Sequence, residues 1–168
     1  MAPALEAYAL TRLGDNKSST QALQEAAAAF EGLRSQDRGE SVLGFSERRW
    51  RFYVSRIVSH LASVSTAPKT LGDALAAQSD ALMLYPPDVV GDPALVQLDR
   101  AVCLVRLADI PGGCELAGTV LGHISAKCET EIIRRRARDV LAGVPRRHQN
   151  LGAVRDYEEA LAAFATTR

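Results

Sequence analysis

Apolar residues recur at intervals of three and four along most of the chain, and no useful stretch alternates with period two. This pattern predicts helices and no strands. A first helix is expected from Ala4 to Leu13, ended by Gly14, Asp15 and Asn16. A second begins near Ser18 and runs to Leu33, with a mostly alanine face that lets a neighbour lie close. The polar, glycine-containing stretch RSQDRGESVLGF predicts a loop. Ser46 is a suitable N-cap for a third helix, on which Trp50, Val54, Ile57, Leu61 and Val64 form an apolar stripe. Pro68 suits the first turn of a fourth helix, where its missing N–H is not needed. That helix carries Leu71, Ala74, Leu75, Ala81, Leu82 and Leu84, and Pro86-Pro87 stop it near Tyr85.

Asp92-Pro93 reads as N-cap and first-turn proline of a fifth helix, with Leu95, Leu98, Val102 and Val105 on its apolar face. Asp109 to Gly113 reads as a tight joint, with Gly112-Gly113 making the turn. A sixth helix is expected from Cys114 to Ile124. A seventh runs from Glu129 to Ala142, with Ile132, Ile133, Ala137, Val140 and Leu141 apolar, and Pro145 ends it. An eighth spans Leu151 to Phe164. Short connections force consecutive helices to pack antiparallel.

A row of such hairpins is an α-solenoid, and a repeat should place small residues at a fixed period. Ala74, Ala81 and Pro86 have the spacing of the second half of a tetratricopeptide repeat, although Gln78 stands where that pattern has a large residue. Leu61 and Ala62 stand where it has leucine and glycine. Cys114 takes the place of Ala74 in the next hairpin, while Leu121 and Ala126 match poorly. The expected fold is therefore all-α: antiparallel helical hairpins stacked as a degenerate tetratricopeptide-like α-solenoid. An irregular helical bundle is the rival. One domain, 1–168, is expected, with N-terminal helices and loop in 1–45 and the best-matching hairpins in 46–168.

Length and composition fit one globular domain with a full core. The formal net charge is zero. That argues against direct nucleic-acid binding by this segment, because such binding rests on neutralising phosphates. The run RRRAR, Arg134 to Arg138, spreads around its helix and is diluted by Glu129, Glu131 and Asp139, so it reads as a solvated face. The three cysteines, Cys103, Cys114 and Cys128, form no CxxC pair, which fits a reduced, cytoplasmic setting. No stretch reaches the roughly 20 apolar residues of a membrane span. The first residues lack the basic lead-in and long apolar region of a signal peptide.

The stretch ALMLYPPDVVGDPALVQLDRAVCLVR, followed by GCELAGTVL and RRARDVLAGVP, resembles the C-terminal tetratricopeptide-like region of actinomycete helix-turn-helix transcriptional regulators. The likeness covers about Ser46 to Phe164. It implies a sensory or protein-interaction module of a transcriptional regulator and supplies no ligand. The sequence before the first alanine-rich helix leaves no room for a helix-turn-helix domain. The chain is thus expected to be a cut-out domain or a free-standing relative.

In a stack of hairpins the first helix of each pair lines the concave face. By helical spacing, the third helix offers Arg49, Tyr53, Arg56 and His60, the fifth Asp99, Cys103 and Arg106, and the seventh Arg135 and Arg138. A groove lined by these residues suits a protein or peptide partner with an acidic tail, or a small anionic ligand. Pairs such as Glu47–Arg51 and Glu131–Arg135 offer the alternative of local ion pairing. His60, His123 and His148 lie far apart, and the cysteines match no zinc spacing, so no metal or cofactor is expected. No nucleophile elbow or phosphate-cradling glycine loop is present. A non-enzymatic regulatory module is the leading expectation. A homodimerisation scaffold and a helical auxiliary protein or enzyme of a biosynthetic pathway are the alternatives.

Overall fold

The computed structural model describes residues 2–33, 45–63, 68–124 and 130–166. The predicted loop falls almost wholly on 34–44, and Val64, Cys128 and Glu129 also lie outside the described residues. Among the described residues the fold is all-α. The helices are α1 (Ala2–Arg12), α2 (Asn16–Glu31), α3 (Glu47–Ser63), α4 (Pro68–Leu82), α5 (Gly91–Arg106), α6 (Ile110–His123), α7 (Glu131–Ala142) and α8 (Gly152–Thr166), with a short 3-10 turn at Arg146–His148.

Three sequential pairs pack closely, α1 with α2, α3 with α4 and α5 with α6, while α8 packs mainly on α6 and only lightly on α7. Helices α1, α3, α5 and α7 also touch in series, α1 against α3, α3 against α5 and α5 against α7, and so form one row. Polar bonds tie the pairs together: Ser19 Oγ donates to the Ala7 carbonyl (2.9 Å), and Tyr157 OH donates to that of Ala137 (2.9 Å).

The α1–α2 and α5–α6 joints are built alike. In each, a leucine is followed by a residue in the left-handed region, Gly14 (φ 81°) or Ala108 (φ 67°). An aspartate comes next, and its N–H reaches back five residues, from Asp15 to the Leu10 carbonyl and from Asp109 to that of Leu104. The same aspartate caps the following helix, Asp15 accepting from the Ser18 N–H and Asp109 from that of Gly112. This is a Schellman-type helix end run directly into an N-cap.

The largest core gathers Leu98, Val102 and Val105 of α5, Cys114 and Ala117 of α6, Ile133, Ala137 and Val140 of α7, and Val154 and Tyr157 of α8. At the other end Phe30 stacks on Trp50 (centroids 5.2 Å apart), with Phe45 against both. Alanines Ala7 and Ala22 close around Ile57, as the alanine-rich face of α2 leads one to expect.

Several expectations are corrected. On α3, Trp50 and Ile57 are buried, but Val54 and Leu61 only partly. Ser55, Arg56, Ser59 and Ala62 are buried as well, because α1, α4 and α5 all cover this helix. α5 starts at Gly91 rather than after Asp92, and the Asp92 carboxylate accepts from Tyr85 OH at 3.3 Å. Gly112 and Gly113 do not make the α5–α6 turn; they lie in the first turn of α6. Gly113 lets α6 close on α5, since a Cβ there would sit 2.7 Å from Val105 Cγ2 and 2.8 Å from the Ala101 carbonyl oxygen. Leu84 lies past the end of α4 and is exposed, and Ile132 of α7 is 57 % exposed.

Candidate functional site

Helices α1, α3, α5 and α7 meet at a buried cluster of charge. Asp99 of α5 is only 2 % exposed. Its Oδ2 accepts from Arg56 Nη1 of α3 at 2.7 Å, and its Oδ1 accepts from Arg136 Nε of α7. Arg136 also reaches Asp139 one turn on (3.1 Å), and Arg56 Nη2 donates to Tyr8 OH of α1 (3.3 Å). The Arg56 guanidinium lies 5.9 Å from the Tyr8 ring centroid, within cation–π range. One carboxylate thus joins three helices, and a tyrosine adds the fourth.

Burial by itself works against the Arg56 charge. The Asp99 carboxylate and the Tyr8 hydroxyl more than offset it, so the guanidinium pKa stands above its usual value. His60, one turn from Arg56, moves the other way. Its half-buried position lowers its pKa first, and the nearby Arg136 and Arg12 charges lower it further, against a smaller opposing pull from Asp99. Both effects favour the uncharged imidazole.

A cavity of about 320 Å³ opens over this cluster. Tyr8 and Arg12 line it from α1, Arg56 and His60 from α3, Asp99 from α5, and Glu131, Ile132, Arg135, Arg136 and Asp139 from α7. Four guanidinium groups face three carboxylates. Arg56 and Arg136 are held by Asp99, and Glu131 is engaged by Arg134 (3.8 Å) and Arg138 (3.3 Å). Arg12 and Arg135 have no side-chain ion pair or hydrogen bond among the described residues. Among the described residues they are the two cations of the cleft free to take an anion.

Of the residues singled out in the sequence, Arg56, His60, Asp99 and Arg135 come together here. Arg49 is exposed and lies two helical turns before Arg56. Tyr53 packs among aromatic rings, 6.4 Å from Tyr8, 6.2 Å from Phe45 and 5.7 Å from Phe52. Arg106 is exposed two turns beyond Asp99. Arg138 pairs with Glu131, in place of the expected Glu131–Arg135 pair. Tyr8, Arg12 and Arg136 are the residues that sequence reasoning missed. Arg136 belongs to the run read as a solvated face, yet it is 8 % exposed.

A second concavity of about 390 Å³ runs between α7 and α8, lined by Arg134, Arg138, Leu141, Glu158, Leu161, Ala162, Phe164 and Ala165. Cys103 and Cys114 are buried free thiols whose pKa values burial raises. Among the described residues no group of three or more His, Cys, Asp and Glu side chains is placed to hold a metal ion. No helix among them is long and apolar enough to cross a membrane.

Compared with protein-family models, with curated proteins and with solved structures, the chain finds no match.

Proposed function

We propose that this chain is a tetratricopeptide-like binding module in which the row of α1, α3, α5 and α7 offers a groove to an anionic group on a partner, and that it serves regulation. The observation that carries this reading is the pair of guanidinium groups, Arg12 of α1 and Arg135 of α7, that face one cleft and have no side-chain partner among the described residues. The recurrence of one turn design at the α1–α2 and α5–α6 joints supports a degenerate hairpin repeat. Solenoids of hairpins use such concave surfaces for recognition. The resemblance to tetratricopeptide-like regions of actinomycete transcriptional regulators supports a sensory role over a catalytic one. The absence of any CxxC spacing supports a cytoplasmic setting.

The test is a thermal-shift screen with acidic peptides and organic acids on the native chain and on the Arg12→Ala/Arg135→Ala variant. A ligand at 100 times its Kd adds about 2.7 kcal/mol, a rise of several degrees in Tm. Anionic compounds are expected to protect the native chain and not the variant. Silence across the panel, or equal protection of both, overturns the reading. A second reading, a homodimer, is favoured by the largely apolar concavity between α7 and α8. Light scattering over a range of concentrations decides it, and a strict monomer overturns it.

A further inference from the structure

We infer that the cleft selects a small organic acid: a single carboxylate held between Arg12 and Arg135, joined to a short apolar body that lies on Ile132. The inference rests on the anion-binding reading above and names the ligand class. Three observations carry it.

The first is the apolar wall. Ile132 is 57 % exposed and lines the cleft from α7, one turn before Arg135 and Arg136. An inorganic anion gains nothing from such a wall, whereas an alkyl or ring carbon gains by covering it. The Tyr8 ring lines the cleft from α1 and is held in place by its hydroxyl contact with Arg56.

The second is the charge count. The floor is already satisfied, with Arg56 and Arg136 both on Asp99, and Arg136 also on Asp139. Among the described residues two guanidinium groups remain for a ligand, and the surroundings of His60 beside them favour its uncharged form. Two planar forks suit one carboxylate. Counted over the whole lining, four guanidinium groups against three carboxylates leave one excess positive charge, which one carboxylate balances and a polyanion exceeds.

The third is size. A cavity of about 320 Å³ is at the small end of ligand pockets, which run from roughly 300 to 1,000 Å³. It accepts a compact acid with a few carbons beyond the carboxylate.

The experiment is calorimetry on the full chain with acetate, butanoate, hexanoate and octanoate. Inorganic phosphate, methyl hexanoate and an acetylated tripeptide ending in leucine with a free carboxylate are run beside them. Affinity is expected to rise about fourfold per methylene until the cavity is full. Methyl hexanoate is expected to bind at least tenfold more weakly than hexanoate. Ile132→Ser, a change at an exposed position, is expected to flatten the chain-length series; circular dichroism verifies that it folds. Phosphate binding as tightly as hexanoate, with loss on Arg12→Ala and Arg135→Ala, overturns the organic-acid class and leaves the anion-binding reading standing. Binding of the tripeptide without hexanoate does the same. A response to none of the probes overturns both.

Discussion

Arg56 Nη1 donates to Asp99 Oδ2 at 2.7 Å, with both side chains almost wholly withdrawn from water. The other Asp99 oxygen serves Arg136, so one carboxylate compensates two buried guanidinium groups. Removing one partner of a buried ion pair costs about 3–5 kcal/mol, because the remaining charge is left desolvated and alone. Asp99→Asn keeps the shape and removes the charge. It is expected to destabilise the chain by that amount, read as a drop in the urea midpoint at constant slope. Replacing all three groups together, Arg56→Met, Asp99→Leu and Arg136→Met, is expected to recover most of the loss, since apolar residues of similar volume need no compensation. A triple variant as unstable as Asp99→Asn would mean that the ion cluster, rather than volume and packing, holds α3, α5 and α7 in register.

The matched turns at Gly14 and Ala108 offer a paired test. Both residues occupy the left-handed region, at φ 81° and 67°. Glycine is at ease there, whereas a residue with a Cβ is disfavoured by about 1–2 kcal/mol. Ala108→Gly is expected to stabilise the chain by about 1 kcal/mol, and Gly14→Ala to destabilise it by a similar amount. A cavity or clash is not at issue for Gly14, since an added Cβ would meet nothing within 4 Å. Thermal unfolding of the two variants should therefore move in opposite directions.

The helices were legible in the sequence because a 3.6-residue period and proline and glycine stops are local signals. Pro86-Pro87 after α4 act within one turn of where they stand, whereas the start of α6 at Ile110 was read four residues late because Gly112-Gly113 looked like a turn. The cleft was legible only in part. Spacing tells which face a side chain shares, but not at which level along the axis a neighbouring helix crosses. Arg49 and Arg106 share faces with Arg56 and Asp99 and lie roughly 10 Å along the helix from them, outside the cavity. Tyr8 and Arg12 are four apart on α1 and form a polar pair on an alanine-rich helix. That spacing was the available signal for them. Arg136 gave no signal separating it from Arg134, Arg135 and Arg138, since only the tertiary position of Asp99 draws one arginine of that run inward.

Gln78 is the residue that breaks the tetratricopeptide pattern on α4, and it is fully buried. Its Nε2 donates to Ser59 Oγ at 2.8 Å, while its Oε1 meets no donor among the described residues. A buried acceptor without a donor costs about 1–3 kcal/mol. Gln78→Leu removes that acceptor and leaves Ser59 bonded through its own hydroxyl to the Ser55 carbonyl. The variant is expected to be more stable than the native chain by about 1 kcal/mol, measured by urea unfolding. A loss of stability would mean that the amide's bond to Ser59 outweighs the cost of burying its Oε1.

His60 makes stability depend on pH in a direction fixed by its surroundings. Burial, then Arg136 and Arg12, lower its pKa, with Arg56 acting the same way and Asp99 opposing. The unfolded chain, with a histidine pKa of about 6.5, therefore takes up a proton at this position before the folded chain does. Stability rises with pH wherever the unfolded state binds more protons. The His60 contribution is thus lost as pH falls from about 6.5 towards the folded pKa, and no further below it. His60→Gln removes the titration and keeps a polar side chain of similar reach. The difference in stability between native and variant chains, measured at half-unit steps between pH 8 and 5, is expected to be flat in the upper part of this range. Below about pH 6.5 it should turn progressively against the native chain. A difference that does not vary with pH would mean that His60 titrates alike in both states, and that the Arg12 and Arg136 charges do not reach it across the cleft.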